Sequence, residues 1–102
     1  MTQDISETKD RVVLSIDIGG SHVKILSSAG GEEKKAESGK TMTASDMVEA
    51  VKAMAKGMKY DVISMGYPGP VVHNKPLRDP ANLGDGWVGF DYEAAFGHPV
   101  RI

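Results

Sequence analysis

Residues 11–28 read RVVLSIDIGGSHVKILSS, and the order of apolar runs and glycines within them decides the fold. Arg11 to Ile18 is a nearly continuous β-branched and apolar run, the composition of a strand buried on both faces. It stops at Gly19-Gly20, a dipeptide suited to the mirror-image, two-residue turns of β-hairpins. Ser21 to Ser28 then returns as a second strand, with Val23 and Ile25 on one face and Lys24 and Leu26 on the other.

Outward from this hairpin, Ala29-Gly30-Gly31 makes the next turn, and residues 32–42 form a third, charged strand whose lysines suit a sheet edge. Thr43 with Asp46 is a capping-box start, with Asp in place of the usual Glu or Gln. Met47, Val48, Val51, Met54, Ala55 and Met58 follow at helical spacing and predict one apolar stripe on a helix over 43–58. Lys52, Lys56 and Lys59 lie off that stripe, toward the end where positive charge complements the helix dipole. Asp61 to Met65 is a short apolar strand closed by Gly66. This β-β-β-α-β order predicts an α/β domain: a mixed sheet of order 3-2-1-4, with a crossover helix packed on one face.

From Gly66 to Gly89 the chain is rich in Gly, Pro, Asn and Asp, and a loop this long in a compact domain is usually functional or disordered. Asp91 to Gly97 predicts a short helix capped by Asp91 and ended by Gly97, and residues 98–102 begin another apolar strand. Residues 1–10, polar and acidic, predict a flexible tail ahead of one domain over 11–102. Their composition is unlike the basic, then apolar, opening of a signal peptide, and no apolar run approaches the ~20 residues of a membrane span, so the protein is expected to be cytoplasmic, with no membrane partner. Twelve basic against fourteen acidic residues give a net charge of −2, without the basic excess that drives nucleic-acid binding. The absence of cysteine excludes disulfides and thiolate metal sites.

The chemistry concentrates in residues 16–24, IDIGGSHVK. Glycines let backbone amides approach an anion, since no Cβ intrudes. Ser21 can donate from its hydroxyl, Lys24 supplies charge, and Asp17 can hold a hydrated magnesium ion through water. On local physics alone, a tight Gly-Gly hairpin with an incidental Asp reads equally well.

Residues 17–24, DIGGSHVK, resemble the first phosphate motif of the ROK family of sugar kinases, D-x-G-G-T-x-x-K, with Ser21 in place of the usual threonine. In order along the chain, residues 66–71 (GYPGPV) resemble that family's G-x-P-G-x-V segment, and Ala81-Asn82-Leu83 with Gly86-Trp87 resembles its A-N-L and G-W loop. Within the family, the short loops and the Trp87-Val88-Gly89 run look closest to polyphosphate glucokinases.

The resemblance implies part of an actin-like (ribonuclease H-like) ATPase lobe. It implies transfer of a phosphoryl group from ATP or polyphosphate, with Mg2+, to the 6-hydroxyl of glucose or a related hexose. Asp17 would order the metal and phosphate end of the donor, and Gly19, Gly20, Ser21 and Lys24 would line the phosphate turn. Gly69 would shape the floor of the sugar cleft, and the Asn82 amide would hydrogen-bond a sugar hydroxyl as donor and acceptor. The family's general base, an Asp in an Asn-Asp pair, would follow Ile102, so no catalytic residue is expected in the chain, which alone is expected to be inactive. The full-length protein is expected to be a homodimer. Without the later helix that covers such a lobe's sheet, an apolar face is expected to stay exposed. The same family includes sugar-sensing repressors, but those carry a helix-turn-helix domain ahead of the fold. Only about ten polar residues precede the first strand here, too few for such a module. A more distant reading, an activator ATPase of the same superfamily, is not favoured by the Asn82 and Trp87 loop.

Other residues have plainer expectations. A lone tryptophan, Trp87, is more often a packing anchor than a sugar platform. His22, His73 and His98 lack close metal-ligand spacing. Lys34-Lys35 reads as a solvated strand face, the methionines as core, and Asp79 and Asp85 as turn formers rather than bases.

Overall fold

The structure, a computed structural model, describes residues 11–102. The expected tail over 1–10 lies outside the described residues. Five strands form one sheet of order β3-β2-β1-β4-β7: β1 (Val13–Ile18), β2 (His22–Ser27), β3 (Lys34–Glu37), β4 (Val62–Gly66) and β7 (Val100–Arg101). β1 pairs antiparallel with β2 and parallel with β4, while β2–β3 is antiparallel and β4–β7 parallel. The expected 3-2-1-4 order is present, and β7 extends it by one strand.

Helix α1 (Ala44–Met54) starts where its cap dictates. The Asp46 N–H donates to the Thr43 hydroxyl oxygen at 3.1 Å, and the Thr43 N–H donates to the Asp46 carboxylate at 3.1 Å. Reciprocal capping satisfies two amides that the first turn would otherwise leave unpaired. Met47, Val48, Val51 and Ala55 are buried, with Met54 and Met58 partly so, as the stripe predicts. The regular helix ends at Met54, shorter than the expected 43–58, so Lys52 lies in its last turn and Lys56 and Lys59 lie beyond it.

One face of the sheet carries the core. Leu14, Ile16 and Ile18 of β1, Val23 and Ile25 of β2, and Ile63 and Met65 of β4 are buried with α1, Leu83, Trp87 and the second helix α2 (Tyr92–Phe96). The other face is open, which corrects the expectation that β1 is buried on both sides: Ser15 and Asp17 alternate with its core residues and are exposed. This face is mixed rather than the uniformly apolar one expected: Val13 and Val62, half-buried, stand side by side at one end of it. Arg101, Ser64, Ser15 and Leu26 line up across it in one row, and Gly66, Asp17, Lys24 and Lys35 in the next. Leu26 is the large apolar side chain exposed there, so the face can meet water without a covering helix.

Two further expectations change. The third strand spans four residues rather than 32–42, because the chain turns after Glu37. Lys34 and Lys35 point to opposite faces, as strand alternation requires, and the Lys34 ammonium donates to the Met54 carbonyl at 3.1 Å. Both lysines are exposed, the solvated face expected of them, and Lys34 also serves the carboxyl end of α1, where positive charge is favoured. Finally, residues 66–89 are not a bare loop: β5 (Val71–Val72) and β6 (Lys75–Pro76) form a small hairpin around His73 and Asn74.

Candidate functional site

Asp17, one residue before the end of β1, lies on the open face, with Lys24 directly across in β2 and Gly66 across in β4. A Cβ on Gly66 would stand 3.5 Å from the Asp17 carboxylate, so glycine leaves that flank uncovered. Asp17, Lys24, Gly66, Ser64 and Glu33 line a shallow depression of about 230 Å3.

The turn after Asp17 is held from both sides. The Gly19 N–H donates to the His22 carbonyl at 2.9 Å, placing Gly20 and Ser21 at the tip. Neither Gly19 nor Gly20 takes a positive φ, which corrects the expected mirror-image turn. Ser38, beyond β3, fastens the turn: its hydroxyl donates to the Gly19 carbonyl at 2.6 Å and its N–H to the Ser21 carbonyl at 3.0 Å. With those carbonyls engaged, the amides of Gly20 and Ser21 have no acceptor among the described residues, the state an anion-binding turn needs.

What the glycines supply is close approach rather than an unusual backbone. A Cβ on Gly20 would lie 3.2 Å from the Cβ of Asn82 and 3.7 Å from its Nδ2. The tip of the hairpin therefore rests on the loop that carries Asn82, which is exposed. That loop is anchored by Gly84, whose N–H donates to the Met42 carbonyl at 2.7 Å. A Cβ there would stand 2.7 Å from the same oxygen, closer than any side chain tolerates. Leu83 and Trp87 bury the loop's apolar side, with Trp87 fully enclosed as an anchor.

Polar tethers complete the loop. Asp79 accepts the Trp87 N–H at 3.0 Å, a tether across eight residues rather than a local turn, and Tyr92 donates its hydroxyl to the Trp87 carbonyl at 2.7 Å. The Tyr67 hydroxyl donates to the Arg78 carbonyl at 2.7 Å, and its ring lies 5.9 Å from that of Trp87. Burial, and secondarily the Asp79 carboxylate, pushes the Tyr67 phenol up to about 12. Burial raises the Tyr92 phenol too, helped by Tyr67 and Asp79.

The structure thus gathers Asp17, Lys24 and Gly66 on the open face, and joins the hairpin tip to Asn82 through Gly20. Gly69 stands apart from this junction, packed against the Tyr67 ring, which a Cβ would meet at 3.1 Å. His98 is structural, its ring packed at a tilt against Tyr60 with centroids 4.5 Å apart, while His73 sits exposed in the β5–β6 turn. Ser38, Tyr67 and the Met42–Gly84 contact were missed by sequence reasoning. Only Ser38-Gly39, a turn-like dipeptide, carried any signal.

No group of three or more His, Cys, Asp or Glu among the described residues could hold a metal by itself. A magnesium ion would fit Asp17 only as a hydrated ion held mainly by donor phosphates, because Mg2+ keeps several waters and needs few protein carboxylates. Among the described residues no helix is long and apolar enough to cross a membrane. No protein-family model matches this chain, and no curated protein matches it either.

Proposed function

We propose that this chain forms the opening part of an actin-like, ribonuclease H-like kinase lobe of the ROK type, transferring a phosphoryl group to glucose or a related hexose. ATP or polyphosphate is the donor. The contact of Gly20 with Asn82 carries the reading, because phosphoryl transfer requires the donor's phosphate and the acceptor's hydroxyl to meet.

In this reading the Gly20 and Ser21 amides, the Ser21 hydroxyl and the Lys24 ammonium cradle the phosphate. Magnesium, when bound, neutralises charge that develops on the phosphoryl group, and Asp17 orients its water shell. The Asn82 amide holds a sugar hydroxyl. Four of the described carboxylates are already engaged: Asp46 and Asp91 cap helices, Asp61 accepts the Val12 N–H, and Asp79 accepts the Trp87 N–H. We place the base outside residues 11–102, so the 102-residue chain should show no turnover with glucose, Mg2+ and either donor in a coupled assay.

In an active polypeptide containing this segment, Asp17→Asn should lower kcat about a hundredfold or more, the scale of losing one preorganised electrostatic group. The sugar KM should barely move. Asn82→Ala should instead raise the sugar KM. The reverse pattern in steady-state kinetics would contradict the assignment.

A further inference from the structure

The Ile63 N–H donates to the Pro99 carbonyl at 2.9 Å, so residue 99, and by alternation 101, face β4. Val100 and Ile102 therefore turn their backbone groups to the outer edge of the sheet. Side chains take up those groups. The Val100 N–H donates to Glu93 Oε2 at 3.0 Å, and the Val100 carbonyl accepts from Asn74 Nδ2 at 2.9 Å. The Ile102 N–H donates to Asn74 Oδ1 at 2.6 Å. One carboxamide thus stands where the peptide group of a sixth strand would stand, donating and accepting as that group would.

The residue at 74 is placed for this purpose at some backbone cost. His73 and Asn74 take φ of 51° and 65° in the β5–β6 turn, a region glycine enters more freely. Asn tolerates it and adds a side chain that reaches β7; glycine would make the turn and leave the edge open.

Behind these side chains the edge is competent to pair. Pro99, which has no N–H, faces β4 and does not interrupt the outer row. Antiparallel pairing of Val100 with Val100 of a second copy would exchange N–H and carbonyl reciprocally, the self-complementarity a two-fold dimer requires. In that register Arg101 lies opposite Pro99 and not opposite another Arg101, so like charges do not meet. The opposite edge, β3, carries Lys34 and Lys35, the usual deterrent to such pairing, whereas β7 has no lysine.

We infer that Asn74 and Glu93 together lock the β7 edge against strand addition, and that the strand they keep out is β7 of a second copy of this chain. The test is the double variant Asn74→Gly/Glu93→Ala, followed by sedimentation velocity over a concentration series and by hydrogen exchange. A species of twice the mass of the unaltered chain's form should appear, with the Val100 and Ile102 amides slow to exchange within it. A mass unchanged at every concentration would overturn the inference. So would association that leaves those two amides in fast exchange, because the contact would then lie elsewhere. Should the double variant fail to fold, Asn74→Gly alone carries the test, since glycine suits the turn and Glu93 still holds Val100. It should associate at higher concentration than the double variant requires, and a mass unchanged up to the solubility limit would sink the inference.

Discussion

Residues 11–66 and residues 67–97 are built on different physics. The first region is a backbone ladder with an amphipathic helix, in which periodic apolar residues pay the cost of ordering and side-chain hydrogen bonds such as Ser38 on Gly19 and Asp61 on Val12 reinforce a ladder already made. The second has almost no ladder and is fixed by singular contacts: Gly84 on Met42, Asp79 on the Trp87 N–H, Tyr67 on Arg78, Tyr92 on the Trp87 carbonyl. A periodic region tolerates the loss of one polar contact, whereas a region held by singular contacts can lose its shape to one atom.

Trp87→Ala tests whether the second region belongs to the core at all. Trp87 and Leu14 are both fully buried, so the two alanine variants should cost similar amounts, about 3–5 kcal/mol for the tryptophan and about 2–5 for the leucine. Denaturant titration that finds Trp87→Ala nearly neutral would reduce the loop to an appendage. Gly84→Ala adds a single carbon against backbone atoms of Thr41 and Met42, and should cost about 1–3 kcal/mol, as overpacking does. Gly39→Ala, where a Cβ meets nothing within 4 Å, serves as its neutral control.

In the periodic region the capping box is a reciprocal polar device, and Thr43→Ala should cost about 1 kcal/mol in thermal unfolding. The smallest effect concerns Tyr67. Its folded-state phenol is raised from 10.0 to about 12, so the neutral form is the one that folding favours. The associated stability is complete below pH 10.0 and is lost as pH rises toward about 12. Asp79→Asn removes the secondary cause and should move the Tyr67 titration down, read from phenolate absorbance. An unmoved titration would mean that Asp79 does not act on the phenol.

The same division explains what the sequence revealed. The run from Val13 to Ile18, the stripe from Met47 to Met58 and the Thr43/Asp46 pair each repeat a local rule, so strands, helix and the 3-2-1-4 order were legible. One-sided burial of β1 is written in the alternation of Leu14, Ile16 and Ile18 with Ser15 and Asp17, a period-two signal that the flanking Val12 and Val13 make look like a continuous apolar run. The β5–β6 hairpin was hidden by Pro76, which lowers any strand reading, and by a His73-Asn74 turn that lacks glycine. In the candidate site, the residue types of the turn were legible, but the meeting of Gly20 with Asn82 was not. That meeting joins positions far apart in sequence through a loop whose course depends on Gly84 and Trp87.

That junction is the central claim, and a nitrogen-15 NMR titration of the 102-residue chain tests it most directly. Pyrophosphate with Mg2+ should shift the amides of Gly20 and Ser21, and glucose should shift the Asn82 side-chain amide, with the two footprints meeting at Gly20. Gly20→Ala, which sets a methyl 3.2 Å from the Asn82 Cβ, should weaken both. Footprints on separate surfaces, or shifts by both ligands that survive Gly20→Ala unchanged, would contradict the account.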